Sequence, residues 1–365
     1  MARMKRERPR LWLRAETRAS ERRTPLVPED AARLVAVGFE VTVEDSPQRV
    51  FPLADYAAVG CRTAPAGTWR EADDDQYVLG LKELPDAPAT LRHRHIFFGH
   101  CFKRQSGAER LLARFRAGGG VLLDLEYLTD DQGRRVAAFG YWAGYIGGAL
   151  AVLHRRGRLA TPLRDTDRAT LDGLLRASAQ QARPTSALVI GALGRCGRGA
   201  RDALETAGVT ATCWDLPETR HLDRDALLTH DVLVNTVLTT VPAPPFVTTA
   251  DLLRAERTLS VISDVTCDAG SPCNLLPVYD SPTDWDRPVR RLTAGERPVD
   301  LIAIDNLPSL LPLEASRAFS ADLLSSLLSL RDGDPRWDRC RRTFEQAVQQ
   351  DVPARTEEVS VVRSS

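Results

Sequence analysis

The feature that most constrains this chain is a regular exchange of short apolar runs for amphipathic helical segments, repeated in two series. In the first, LWLRAE (11–16) precedes a helix opened by Pro28 and closed near Gly38, then EVTVEDS (40–46) and a helix ending at Gly60. YVLGLKELP (77–85), IFFGHCF (96–102), a helix over 108–117 and VLLDLEYL (121–128) complete it. The second series starts at Ser186, with strands near Leu188, Ala211, Val232, Val261 and Ile302. Strands alternating with helices imply parallel strands joined by right-handed crossovers, so the expected fold class is α/β, with two Rossmann-like doubly wound domains. An apolar helical pattern over 136–153, with Gly140, Gly144, Gly147 and Gly148, reads as a domain link or a subunit contact. The polar stretch over 155–183 reads as a connection plus a surface helix.

A length of 365 residues suits two domains of ~150 residues each. Lys+Arg and Asp+Glu are 49 each, so no overall field draws nucleic acid or an anionic membrane, and small-molecule partners are expected. The longest nearly apolar stretch, 139–153, falls short of the ~20 residues a bilayer span requires. Seven cysteines without CxxC spacing point to a reduced, cytoplasmic setting. The basic start, 1–10, reads as a disordered tail.

Lysine is scarce: Lys5, Lys82 and Lys103 are the three among 49 basic residues. A guanidinium keeps its proton near neutral pH while a buried ammonium can release it, so a surviving lysine is a candidate for proton transfer. Lys82 ends an apolar run and is the strongest such candidate.

The strand–turn–helix segment over 186–209, SALVIGALGRCGRGARDALETAGV, carries Gly191, Gly194, Gly197 and Gly199. Such glycines permit a tight turn and let a helix N-terminus face a pyrophosphate. Asp215 closes the next strand 24 residues after Gly191, where an acid accepts both ribose hydroxyls of adenosine. That carboxylate would repel a 2′-phosphate, so NAD is favoured over NADP, with nearby Arg220 as the feature that keeps NADP open.

A hydride carrier needs a partner that handles the associated proton. Lys82, Glu83, His100 and Glu126 stand at successive strand ends of the first series, and ends of adjacent parallel strands converge on one crevice. Lys82 reads either as a proton-transfer group or as the partner of Glu83 or Glu126, and His100 as a catalyst or a core histidine. Arg23, Arg134 and Arg135 are candidates to grip substrate carboxylates. His93, His95, His100 and Cys101 lack a second paired cluster, and no metal is expected. GxSxG is absent.

RAETRASERR (14–23), VEDSPQ (43–48), GLKELP (80–85), HCFK (100–103), DLEYL (124–128), DQGRRVAAFG (131–140), IGALGRCG (190–197) and IDNLPSLLP (304–312) together resemble the NAD-dependent, lysine-forming saccharopine dehydrogenases. The resemblance implies oxidation of the secondary amine of saccharopine by NAD to an imine, then hydrolysis to L-lysine and 2-oxoglutarate. It implies Lys82 and His100 as catalytic residues, tuned by Glu21, Glu83 and Glu126. Substrate would be bound by Arg23, Arg134, Arg135 and Lys103. The implied cofactor positions are Gly191, Gly194, Arg195, Asp215, Thr219, Val265, Ile304, Asp305, Asn306 and Leu307. It also implies a substrate domain over 1–138 completed by 315–365, an NAD-binding domain over 139–314, and a cleft between them. Asn306 stands where histidine is usual, and Leu238 where an aromatic residue is frequent. An opine-type imine reductase acting on another amine and 2-oxo acid, and an NAD-binding regulator without turnover, are the competing readings.

Overall fold

The computed structural model describes residues 8–102, 107–180 and 184–350. The chain divides into two compact units, 1–137 with 319–365, and 138–318.

The first unit contains β1 (Arg10–Leu13), α1 (Pro28–Ala36), β2 (Glu40–Glu44), α2 (Leu53–Ala58), β3 (Arg62–Ala64), β4 (Tyr77–Leu79), β5 (Arg94–Phe97), α3 (Ala108–Gly118) and β6 (Val121–Asp124). Its sheet is parallel throughout, in the order β3-β2-β1-β4-β5-β6. Buried strands of this kind read as nearly continuous apolar runs, as in VLL of β6. Helix α1 starts with Pro28, whose missing N–H costs nothing there, and carries Glu29 and Asp30 where the helix dipole favours acids. It stops at Gly38, whose φ of 96° is the left-handed conformation that ends helices.

The second unit contains α4 (Gly140–Arg155), α5 (Arg168–Ala179), β7 (Ala187–Ile190), α6 (Arg195–Thr206), β8 (Ala211–Trp214), α7 (Leu216–Arg220), α8 (Arg224–Leu228), β9 (Val232–Asn235), α9 (Thr249–Leu252), β10 (Val261–Asp264), β11 (Arg290–Thr293) and β12 (Val299–Ile302). The order is β11-β12-β10-β9-β7-β8, parallel except for β11 on β12. Helix α10 (Pro312–Ser329) spans the boundary between the units, and α11 (Pro335–Gln350) belongs to the first.

The glycine-rich α4 corrects one expectation. It does not serve as a linker: it packs inside the second unit against α6. A Cβ on Gly144 would lie 1.7 Å from the carbonyl of Cys196, and one on Gly199 would lie 1.9 Å from the carbonyl of Tyr141. The glycines are there to let two helix backbones touch. Strands β3 and β11 were not legible as strands, because both are edge strands with exposed, arginine-bearing faces and no apolar run.

Candidate functional site

In each sheet the chain runs outward in both directions from one central pair, β1/β4 in the first unit and β7/β9 in the second. Loops diverge at such a switch point, and a crevice opens at the carboxyl ends of the strands.

In the first unit, the loop after β1 carries Arg14, Glu16, Glu21 and Arg23, and the loop after β4 carries Lys82 and Glu83. Glu21 and Arg23 form a buried two-point ion pair, Nε to Oε1 at 2.8 Å and Nη2 to Oε2 at 2.6 Å. Burial pushes the Glu21 carboxyl up, but hydrogen bonding and charge from Arg23 outweigh it, Lys82 adds to them, and the net shift is downward. Glu83 is likewise lowered against the effect of burial by its bond to Arg18, with Lys82 contributing; its side chain is about half exposed. The charge of Lys82, a half-buried residue, therefore acts on both carboxylates. Its peptide is gripped from both sides: the N–H donates to Glu16 Oε2 at 3.0 Å and the carbonyl accepts from Arg14.

After β5 and β6 a second group forms. His100 has a left-handed backbone, φ 48°, and stacks on Phe98 with ring planes 16° apart. Its Nδ1 lies 3.6 Å from Oε2 of Glu126, whose Oε1 accepts from Arg135 at 2.9 Å. The His100 side chain is 58% exposed, which corrects the reading of a core histidine: the ring projects from a strand end and is open to water and ligands. Asp124, fully buried at the end of β6, ties the two loops together. One oxygen accepts from Gly99 N–H at 3.2 Å and the other from Glu126 N–H at 2.9 Å. Burial pushes its carboxyl up to about 6, with the charge of Glu126 adding and the two N–H bonds opposing.

Arg134 is exposed and bonded to Asp130 within its own turn, so it does not join Glu126 as Arg135 does. Lys103 lies outside the described residues. His93 and His95 are buried against Trp69 rather than grouped with His100, and among the described residues no cluster of three or more metal-ligating side chains occurs. Arg14, Glu16 and Asp124, which hold the peptides of these loops, were not singled out by the sequence. All three stand in the motifs quoted above, but nothing local to them shows which peptides they hold.

In the second unit, Gly191 follows β7 with φ 82°, a conformation other residues adopt only under strain. Gly194 is the N-cap of α6 and offers no side chain to its first-turn N–H groups. A Cβ there would meet nothing closer than 3.4 Å, whereas one on Gly197 would lie 2.1 Å from the carbonyl of Gly191. Gly194 thus leaves an open cradle at a positive helix end, and Gly197 keeps the loop tight. Asp215 caps α7, and its oxygens accept from Leu193 N–H at 3.0 Å and Leu216 N–H at 2.9 Å. This pins the carboxylate beside the glycine loop with lone pairs to spare. Thr219 bonds back to the Asp215 carbonyl at 2.9 Å.

Val265 follows β10 and Ile304 follows β12, at the same edge as the glycine loop. Ile304 and Leu307 are each 2% exposed and belong to the core. Asp305 is exposed, and Asn306 adopts φ 71° at the cap of the short 3-10 turn Leu307–Leu310. Asparagine is among the residues that tolerate that region. The open helix end, the tight glycine loop and the pinned acid together fit a dinucleotide.

Residues 12–146 match the alanine dehydrogenase/PNT N-terminal domain family, and residues 201–351 the alanine dehydrogenase/PNT C-terminal domain family. The saccharopine dehydrogenase (NAD(+), L-lysine-forming) of Schizosaccharomyces pombe is 41% identical over 364 residues, covering 93% of this chain and 99% of that protein. That of Emericella nidulans is also 41% identical, over 93% of this chain and 97% of its own. A solved L-alanine dehydrogenase shares the fold, with a TM-score of 0.67 at 17% identity, over 94% of this chain and 98% of that one.

Proposed function

Because the chain belongs to the NAD(+)-dependent, L-lysine-forming saccharopine dehydrogenase family, we propose that Lys82 and His100 perform the proton transfers of that family's reaction here. The protein is an oxidoreductase of CH–NH donors, converting saccharopine, NAD+ and water to L-lysine, 2-oxoglutarate, NADH and a proton, reversibly. NAD+ supplies the hydride acceptor. Gly191, Gly194 and Arg195 at the start of α6 hold its pyrophosphate and Asp215 its adenosine ribose. Thr219, Val265 and the 304–307 segment, through Asp305 and Asn306, line the rest of that edge.

Lys82 takes the proton from the secondary amine as the neighbouring carbon loses hydride, leaving an imine. His100 then accepts a proton from the water that adds to the imine carbon and passes it to the nitrogen; as the carbinolamine collapses it takes the hydroxyl proton and delivers it to the departing amine, so both protons of water end on nitrogen. Glu21 and Glu83, both held low in part by the charge of Lys82, set two carboxylates beside the proton-transfer group. Glu126 orients the His100 ring. Arg23, Arg135 and, further out, Arg134 attract the carboxylates of the substrate, a role that the family resemblance also gives to Lys103.

The observation that carries this reading is a half-buried lysine in the field of two carboxylates at the switch point of the first sheet. Purified protein should oxidise NADH when given L-lysine and 2-oxoglutarate together, and not with either alone. A panel of other amines and 2-oxo acids separates this from an opine-type reductase; NADH binding without turnover on any pair would point to a regulator. A cytoplasmic setting is supported by seven free cysteines, and among the described residues no helix is long and apolar enough to cross a membrane.

A further inference from the structure

We infer that Glu16 and Arg14 form a positioning clamp on the peptide of Lys82, fixing where its ammonium is delivered. The inference rests on the assignment of Lys82 as the proton-transfer residue. The ladder between β4 and β5 ends with Gly80 N–H on the carbonyl of Ile96, at 2.9 Å, and Phe98 N–H on the carbonyl of Leu81, at 3.2 Å. Past that point side chains take over. Glu16 Oε1 accepts from Leu81 N–H at 2.7 Å, Oε2 accepts from Lys82 N–H at 3.0 Å, and Arg14 donates to the Lys82 carbonyl. Arg14 and Glu16 pair with each other at 3.3 Å, with side chains 1% and 5% exposed.

Stability alone gives little reason for such a pair, since removing two charges from water roughly cancels their attraction. What the pair adds is direction. The two hydrogen-bonding oxygens of Glu16 and one arm of the Arg14 fork all converge on the backbone of 81–82, and a buried ion pair resists displacement. Gly80 makes room for this: a Cβ there would lie 2.3 Å from Arg14 Nε. Neither residue is placed to touch substrate by these bonds, so their effect on turnover must pass through Lys82.

The test is a double-mutant cycle on the full chain, with steady-state NADH oxidation by L-lysine and 2-oxoglutarate as readout. Glu16→Gln keeps the shape but turns an NH2 toward one of the two N–H groups. It should lower kcat by about 10²-fold, the cost of a small misplacement of a reacting group, with the KM for NADH nearly unchanged. In the Lys82→Met background the same change should cost almost nothing further. An equal loss in both backgrounds would overturn the clamp, as would unchanged turnover in Glu16→Gln. If circular dichroism shows Glu16→Gln unfolded, Arg14→Met/Glu16→Gln, which leaves no lone buried charge, replaces it with the same expected pattern. Full activity in Lys82→Met by itself would refute the role of Lys82, and that result is read before Glu16 is touched.

Discussion

The carboxyl edges of the two sheets are built from different materials, which matches the different work proposed for them. At the first, loops after β1, β4, β5 and β6 bring together Arg14, Glu16, Glu21, Arg23, Lys82, His100, Asp124 and Glu126, several of them buried and paired. At the second, the loop after β7 presents glycines and main-chain N–H groups, with one acid pinned beside them. Moving protons requires groups whose charge can change, and burial with partners sets where it changes. Holding a pyrophosphate requires positive dipoles and close approach, which backbone supplies without any titration. Chemistry and cofactor binding should therefore separate cleanly under mutation.

The largest effect is expected at the first edge. Lys82→Met should lower kcat by about 10²–10⁴-fold, the usual contribution of a general acid or base, while the Kd for NADH, read by fluorescence titration, stays close to wild type. A parallel loss of both would break the comparison.

Asp124 is next. Its carboxyl sits at about 6 in the folded protein against an ordinary 3.8, so between those values the native state binds more protons than the unfolded chain. Its contribution to stability is therefore greatest below that window and declines as pH rises through it, by on the order of 2–3 kcal/mol. Urea unfolding across pH 4 to 7 should show this decline in the wild type and a flatter profile in Asp124→Asn. Parallel profiles would mean that Asp124 is not the group responsible.

At the second edge, Gly197→Ala would drive a Cβ into the Gly191 carbonyl. Overpacking costs of about 1–3 kcal/mol translate into a roughly tenfold to hundredfold weaker NADH affinity, with kcat at saturating NADH held within a few-fold. The smallest change is expected for Asp215→Ala, where loss of the ribose acceptor should weaken NADH about tenfold and narrow its preference over NADPH. A kcat that collapses in either variant would show that the second edge shares in the proton chemistry.

How legible these edges were differs in kind. The glycine loop and Asp215 stand in one stretch whose strand–turn–helix order was readable, and the structure puts them beside each other. Lys82 stood out through the scarcity of its type, and His100 and Glu126 through their places after apolar runs. Their partners did not stand out. Arg14 and Glu16 lie 68 and 66 residues from Lys82 in sequence, and Asp124 lies 25 from Gly99. No local periodicity encodes bonds across such spans. Strand ends were also overrun: the run over 11–16 becomes β1 at Arg10–Leu13, because from Arg14 onward the chain leaves the sheet to build the site.

Sequence by itself determined that this chain forms two largely parallel α/β sheets, where a glycine-rich turn joins strand to helix in the second, and which lysine is worth watching. It could do so because burial on both faces demands uninterrupted apolar runs and because a helix opening on glycine has few other uses. Only the tertiary structure decided that α4 packs on α6, that His100 stands open to solvent, and that a buried ion pair grips the peptide of Lys82. Those outcomes depend on strand order, which brings β1 next to β4 and sets remote side chains against one another.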